Sequence, residues 1–143
     1  MTYIFDACAL IALFKQEKGA DKVRALLDEA LVGQSVIYMH TINLIEVHYG
    51  FYRTLGQEKS NLILEQIHTM PIRFIDTIDT KVFHETSRLK AQYSIPLGDS
   101  IGLAVAIKME GTFVTADYSD FDKISKIESI SFFWFRQTVL VKF

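Results

Sequence analysis

Short runs of β-branched and aromatic residues alternate with longer helical patterns along the whole chain. Thr2–Phe5, Val36–Met39, Ile72–Ile75, Thr112–Thr115 and Ile130–Phe135 read as strands. Between them, Ala7–Phe14, Ala20–Leu31, Thr41–Thr54, Glu58–Thr69, Thr80–Tyr93 and Ser100–Met109 read as helices, with a short one running towards Ile127. In Ala20–Leu31, Val23, Leu26, Leu27 and Ala30 recur at helical spacing, while Asp21, Lys22, Asp28 and Glu29 lie off that stripe. Ser100–Met109 is apolar nearly all round, as a buried helix would be. Strands alternating with helices require an α/β fold: a central parallel sheet of about five strands flanked by helices. Only Pro71 and Pro96 punctuate the chain, and no linker, charge block or repeat divides it. The 143 residues are therefore expected to form one domain, 1–143. In such folds ligands sit beyond the carboxyl ends of the strands, where the strand order reverses.

Composition narrows the function classes. Half of the residues are apolar and 22% are charged, which excludes a disordered chain. The net charge is −2, with Lys and Arg scattered, so tight non-specific binding of long nucleic acid is not expected. A nuclease remains open, because metal ions can carry the positive charge at its site. The single cysteine, Cys8, excludes an intrachain disulfide. The apolar opening Tyr3–Phe14 lacks a basic leader and holds Asp6 in its middle, unlike a signal peptide. No apolar stretch reaches membrane-spanning length. The expectation is a cytoplasmic protein with no membrane partner.

Four carboxylates stand out, each with an ordinary alternative. Asp6 follows the first strand, where it can cap a helix. Glu46 interrupts an apolar stretch with Leu44, Ile45 and Val47 beside it. Buried, it needs protonation, pairing or a metal; otherwise it lies on a narrow solvent stripe with Asn43, Gly50 and Arg53. Asp99 opens the most apolar helix, and capping is again the ordinary reading. Asp117 follows the fourth strand, where it can serve a turn, with Asp120 and Asp122 close behind.

Taken together the four say more than any one. Asp6 and Asp117 end two strands, Asp99 begins a buried helix, and Glu46 interrupts an apolar one. If they converge, each like-charge pair at about 4 Å costs roughly 4 kcal/mol at an effective dielectric of about 20. Two divalent cations would balance the four charges. Oxygen ligands without a Cys or His cluster suit Mg2+ or Mn2+ rather than Zn2+. Such a site supports phosphodiester hydrolysis.

Four segments carry a family resemblance: Ile4-Phe5-Asp6-Ala7-Cys8-Ala9-Leu10-Ile11, Ile42-Asn43-Leu44-Ile45-Glu46-Val47, Leu97-Gly98-Asp99-Ser100-Ile101-Gly102-Leu103-Ala104, and Phe113-Val114-Thr115-Ala116-Asp117 with Asp120-Phe121 behind it. In order and spacing the chain resembles the PIN-domain family, in particular its short VapC-type toxins. The resemblance implies a single PIN-like domain and a Mg2+- or Mn2+-dependent endoribonuclease acting on RNA. By motif it makes Asp6, Glu46, Asp99 and Asp117 the catalytic and metal-binding acids, with Asp120 as an auxiliary metal ligand. It further implies a toxin of a type II toxin–antitoxin pair, with a cognate antitoxin protein as partner, and a homodimer. Two departures concern substrate choice: His40 stands where relatives often carry a small hydroxyl residue, and Ser100-Ile101-Gly102 replaces the more usual Ala-Leu-Ile.

Other signals yield less. His40, His48, His68 and His84 show no competing ligand spacing, and a local hydrogen bond is the ordinary reading of His40. Cys8 reads as a small buried side chain. Tyr49, Phe51 and Tyr52 suit core or dimer packing, or stacking on bases. A receiver-like domain needs an acidic neighbour for Asp6 and a lysine after the fifth strand, and neither is evident. An Asp-x-Asp phosphatase fails because Cys8 fills the second position. No glycine-rich phosphate loop is present. The remaining alternatives are a non-toxin PIN nuclease in RNA processing and a catalytically silent metal- or RNA-binding module.

Overall fold

In the computed structural model, residues 1–116 and 118–136 are described. Five strands, β1 (Thr2–Phe5), β2 (Val36–His40), β3 (Ile72–Ile75), β4 (Thr112–Thr115) and β5 (Ser131–Trp134), form one sheet in the order β3-β2-β1-β4-β5. Every pairing is parallel: Tyr3 sits opposite Ile37 on one side and Thr112 on the other. The chain builds outward from β1 to β3, then crosses back to β4 on the far side of β1. The strand order therefore reverses between β1 and β4.

Seven helices connect and cover the strands among the described residues: α1 (Ala7–Lys15), α2 (Ala20–Leu31), α3 (Thr41–Leu55), α4 (Gln57–His68), α5 (Thr80–Gln92), α6 (Leu97–Met109) and α7 (Tyr118–Ile127). Both sheet faces are buried, which is why β1 is a continuous apolar run rather than an alternating one. Tyr3 and Phe5 enter one core with Leu10, Val23, Leu26, Val47 and Phe51. Ile4 points to the other, with Leu89, Leu103, Val105, Phe113 and Phe121. As its all-round apolarity predicts, α6 is buried from Ser100 to Ala106.

The sheet and its helices follow the sequence expectation closely, with informative differences at the ends. β2 runs one residue further because His40 stays extended and caps α3. α6 starts at Leu97 rather than Ser100. Pro96 takes the extended capping position, and the backbone N–H and Oγ of Ser100 both donate to its carbonyl, at 3.1 Å each. β5 is trimmed to Ser131–Trp134, with Phe135 buried just beyond.

Two long-range ties close the molecule. Gly19 has φ 93°, and a Cβ there would lie 2.2 Å from the Phe135 carbonyl oxygen, so only glycine lets the α1–α2 turn approach the end of β5. Beside it, Arg136 reaches the Lys18 carbonyl (3.3 Å) and Glu17 (3.9 Å). On the other face, Arg88 of α5 grips Glu128, just after α7, through both carboxylate oxygens at 2.7 and 3.1 Å. Among the described residues, no helix is long and apolar enough to cross a membrane.

Candidate active site

The reversal of strand order between β1 and β4 places a crevice at their carboxyl ends. Asp6 is the first residue past β1, and its backbone N–H donates to the Val114 carbonyl of β4 (3.2 Å). Its buried side chain does two things at once. Oδ1 accepts from Ala7 N (2.8 Å) and caps α1, so the ordinary reading of Asp6 holds. Oδ2 accepts from the Thr115 hydroxyl (3.0 Å) and the Cys8 thiol (3.3 Å), and these two groups lie 3.4 Å apart.

Thr115 and Cys8 are thus part of this surround, and sequence reasoning missed both. Thr115 read only as a strand end, and Cys8 as a buried filler, whereas Cys8 is partly exposed and bonded to Asp6. The usable signal was position. Cys8 follows Asp6 by two residues, and Thr115 ends a strand that lies beside β1 only once the strand order is known.

Glu46 and Asp99 come from the two helices whose amino-terminal turns reach the same end of the sheet. α3 starts directly at the carboxyl end of β2, and α6 runs back to the start of β4. Glu46 is half-buried and its carboxylate packs on Gly98, the residue before Asp99. Its Oε1 accepts from Asn43 Nδ2 (3.0 Å), which also donates to the Gly98 carbonyl (3.0 Å). Burial pushes the Glu46 pKa up, and the Asn43 hydrogen bond partly offsets this. The solvent-stripe alternative is therefore wrong: Asn43 is 0% exposed, and Arg53 lies over the Tyr49 ring at 4.9 Å. The capping alternative for Asp99 is wrong too, since Asp99 sits half-buried within the first turn of α6 and Pro96 holds the cap position.

Asp117 lies outside the described residues. Asp120 is exposed in the first turn of α7. Asp122 is engaged elsewhere: Tyr118 and Lys126 (3.1 Å) bond its carboxylate and hold its pKa below the ordinary value. His40 has a structural use. Its Nδ1 accepts from Ile42 N (3.1 Å) and Nε2 reaches the Thr77 carbonyl (3.0 Å), so both ring nitrogens are engaged. Phe51 is core, while Tyr49 and Tyr52 are exposed on α3.

The PIN-domain family model matches residues 3–127, a span containing Asp6, Glu46, Asp99, Asp117 and Asp120. The chain belongs to the PIN-domain family. No curated protein matches it. Among solved structures, VapBC2 from Rickettsia felis, bound to a DNA fragment from its promoter, is similar at 21% identity and TM-score 0.72, covering 93% of this chain and 98% of that one. A toxin–antitoxin complex from Klebsiella pneumoniae gives 21% identity and TM-score 0.62, covering 85% and 92%. Mycobacterium tuberculosis VapC20, a sarcin–ricin loop cleaving toxin, gives 14% identity and TM-score 0.56, covering 85% and 94%. At these identities the likeness establishes that the PIN fold is shared along nearly the full length.

Two groups of side chains thus lie at the carboxyl end of the sheet: Asp6 with Thr115 and Cys8, and Glu46 with Asn43, next to Gly98 and Asp99. Among the described residues, no three carboxylate, imidazole or thiol groups are gathered closely enough to hold a metal ion. The donor chemistry nonetheless fits a hard divalent cation. Its acids, Asp6, Glu46 and Asp99, offer carboxylate oxygens, the donors that such a cation takes.

Proposed function

We propose that this PIN domain is a Mg2+- or Mn2+-dependent endoribonuclease, the toxin of a type II toxin–antitoxin pair. One observation carries the reading: Asp6 follows the end of β1 while Glu46 and Asp99 come from the amino-terminal turns of α3 and α6, and all three lie at the carboxyl end of the sheet, where the strand order reverses. Asp6, Glu46, Asp99 and Asp117 would hold the cation, with Asp120 as an auxiliary. Held there, such a cation would supply water activation and charge stabilisation for phosphodiester hydrolysis.

The chain's own residues contribute position. Thr115 and Cys8 pin Oδ2 of Asp6 from two sides while Ala7 N–H pins Oδ1, leaving the carboxylate little freedom to rotate. Asn43 restrains Glu46. Exposed Ile45, Tyr49 and Tyr52 recur at helical spacing on α3. This apolar stripe supports a protein partner, an antitoxin or a second copy of the chain. Toxin–antitoxin complexes among the similar structures support the same pairing. A cytoplasmic location is part of this proposal.

The deciding experiment is cleavage of a structured RNA mixture by the purified chain with Mg2+, Mn2+ or EDTA, beside Asp6→Asn. Asparagine keeps the capping oxygen, so the variant is expected to fold and to be inactive. Cleavage that survives EDTA, or that Asp6→Asn retains, would overturn the reading.

A further inference from the structure

We infer that Asn43 and Gly98 are positioning residues: the Asn43 amide and the space left by the missing Gly98 side chain together seat the Glu46 carboxylate against the first turn of α6, next to Asp99. The inference rests on the metal-site reading above and specifies how that site is held.

Asn43 is a fully buried amide on a helix whose other buried residues are Leu44, Val47 and Phe51. Its Nδ2 makes one bond along its own helix, to Glu46 Oε1, and one across to α6, to the Gly98 carbonyl. Both neighbours are acceptors, so only the amide nitrogen can face them. The carbonyl Oδ1 is consequently turned the other way, where it is buried and no donor among the described residues meets it. A side chain chosen for stability would not leave a buried acceptor unmet. What the amide provides is the pair of bonds that ties Glu46 to α6.

Gly98 supplies the matching space. A Cβ there would lie 2.2 Å from Glu46 Oε1, 2.7 Å from Cδ and 3.0 Å from Oε2. The carboxylate therefore occupies the volume that any other residue's side chain would need. Backbone conformation does not demand glycine at this position, because only Gly19, Gly33 and Gly56 have positive φ among the described glycines. The demand is steric, and it comes from Glu46.

Gly98→Ala separates positioning from stability, since the two respond in opposite directions. Alanine is the better helix former, and the end of a Glu side chain can swing aside, so the apo protein should melt no lower than wild type. Displaced from its notch, Glu46 should bind metal more weakly, with the Mn2+ dissociation constant rising by about tenfold or more. Asn43→Leu, matched in size and free of the unmet Oδ1, takes away both Nδ2 bonds and should act in the same direction. Mn2+ affinity is read from the electron paramagnetic resonance signal of free Mn2+, with wild type and Asp6→Asn alongside and apo Tm values for all four. Weakened binding by Gly98→Ala at an undiminished Tm supports the inference. If wild type binds Mn2+, Asp6→Asn does not, and both new variants bind as tightly as wild type, the positioning role is overturned while the site reading stands. A weakened Gly98→Ala that also melts lower overturns it in favour of a structural role. If wild type itself binds no Mn2+, the site reading fails and this inference with it.

Discussion

Glu128 offers a quantitative test of how α5 is tied to the segment after α7. Its side chain is 11% exposed, and it accepts from Arg88 at 2.7 and 3.1 Å and from the Tyr93 hydroxyl at 2.6 Å. In Glu128→Gln the shape is kept, but one carboxylate oxygen becomes a donor facing the guanidinium. A hydrogen bond between charged groups contributes about 1.5–3 kcal/mol when sheltered. Arg88 is 36% exposed, so water screens the pair and the lower end applies, about 1.5 kcal/mol. For a domain of this length that corresponds to a Tm lowered by about 6 °C at pH 7. The pH dependence has a definite sign. Arg88 holds the Glu128 pKa below its ordinary value of 4.5, with the Tyr93 hydroxyl adding to the effect. The contribution is thus complete above about pH 4.5 and disappears as the pH falls through the lowered value. Thermal melts of wild type and variant at pH 7 and in steps down to about pH 3 would show the gap closing. Equal Tm values at pH 7, or a gap that persists unchanged in acid, would refute the reasoning.

Glu46→Gln should do the opposite in metal-free protein. Burial raises the Glu46 pKa, so its ionisation costs stability, and that cost grows as the pH rises through the raised value. The variant should melt higher than wild type at pH 7 in EDTA, and the advantage should shrink towards pH 4.5; a lower Tm at pH 7 would count against the burial account. Cys8→Ser should cleave RNA at the wild-type rate with Mg2+, because a hydroxyl can replace the thiol as donor to Asp6. A large loss of activity in that variant would mean that the sulfur does more than donate a hydrogen bond.

The fold was legible because burial on both sheet faces leaves a clear pattern: continuous apolar strands such as Ile4–Phe5 and an all-apolar helix such as α6. Helix starts were less legible. Pro96 and His40 take cap positions without belonging to the favoured capping residues, so Asp99 seemed to begin a helix that in fact starts at Leu97. The candidate acids could be picked out by their placement at strand and helix ends. Their supporting partners could not, because Thr115 meets Asp6 through a strand pairing and Asn43 meets Gly98 through helix packing. Neither contact has a local sequence period. Cys8 was hidden differently, since one cysteine in an apolar helix carries no pattern at all.

The central position of β1 has a consequence for synthesis of the chain. One edge of β1 is satisfied by β2, which follows within the first third of the sequence, but the other edge waits for β4, which begins at residue 112. Until that distant strand docks, Asp6 lacks the Thr115 hydroxyl and the Val114 carbonyl that fix it. Pairings so remote in sequence form late and slowly. A nascent chain on the ribosome therefore carries this candidate acid in an unfinished setting, and the surround of Asp6 is completed only after residues 112–115 have been made.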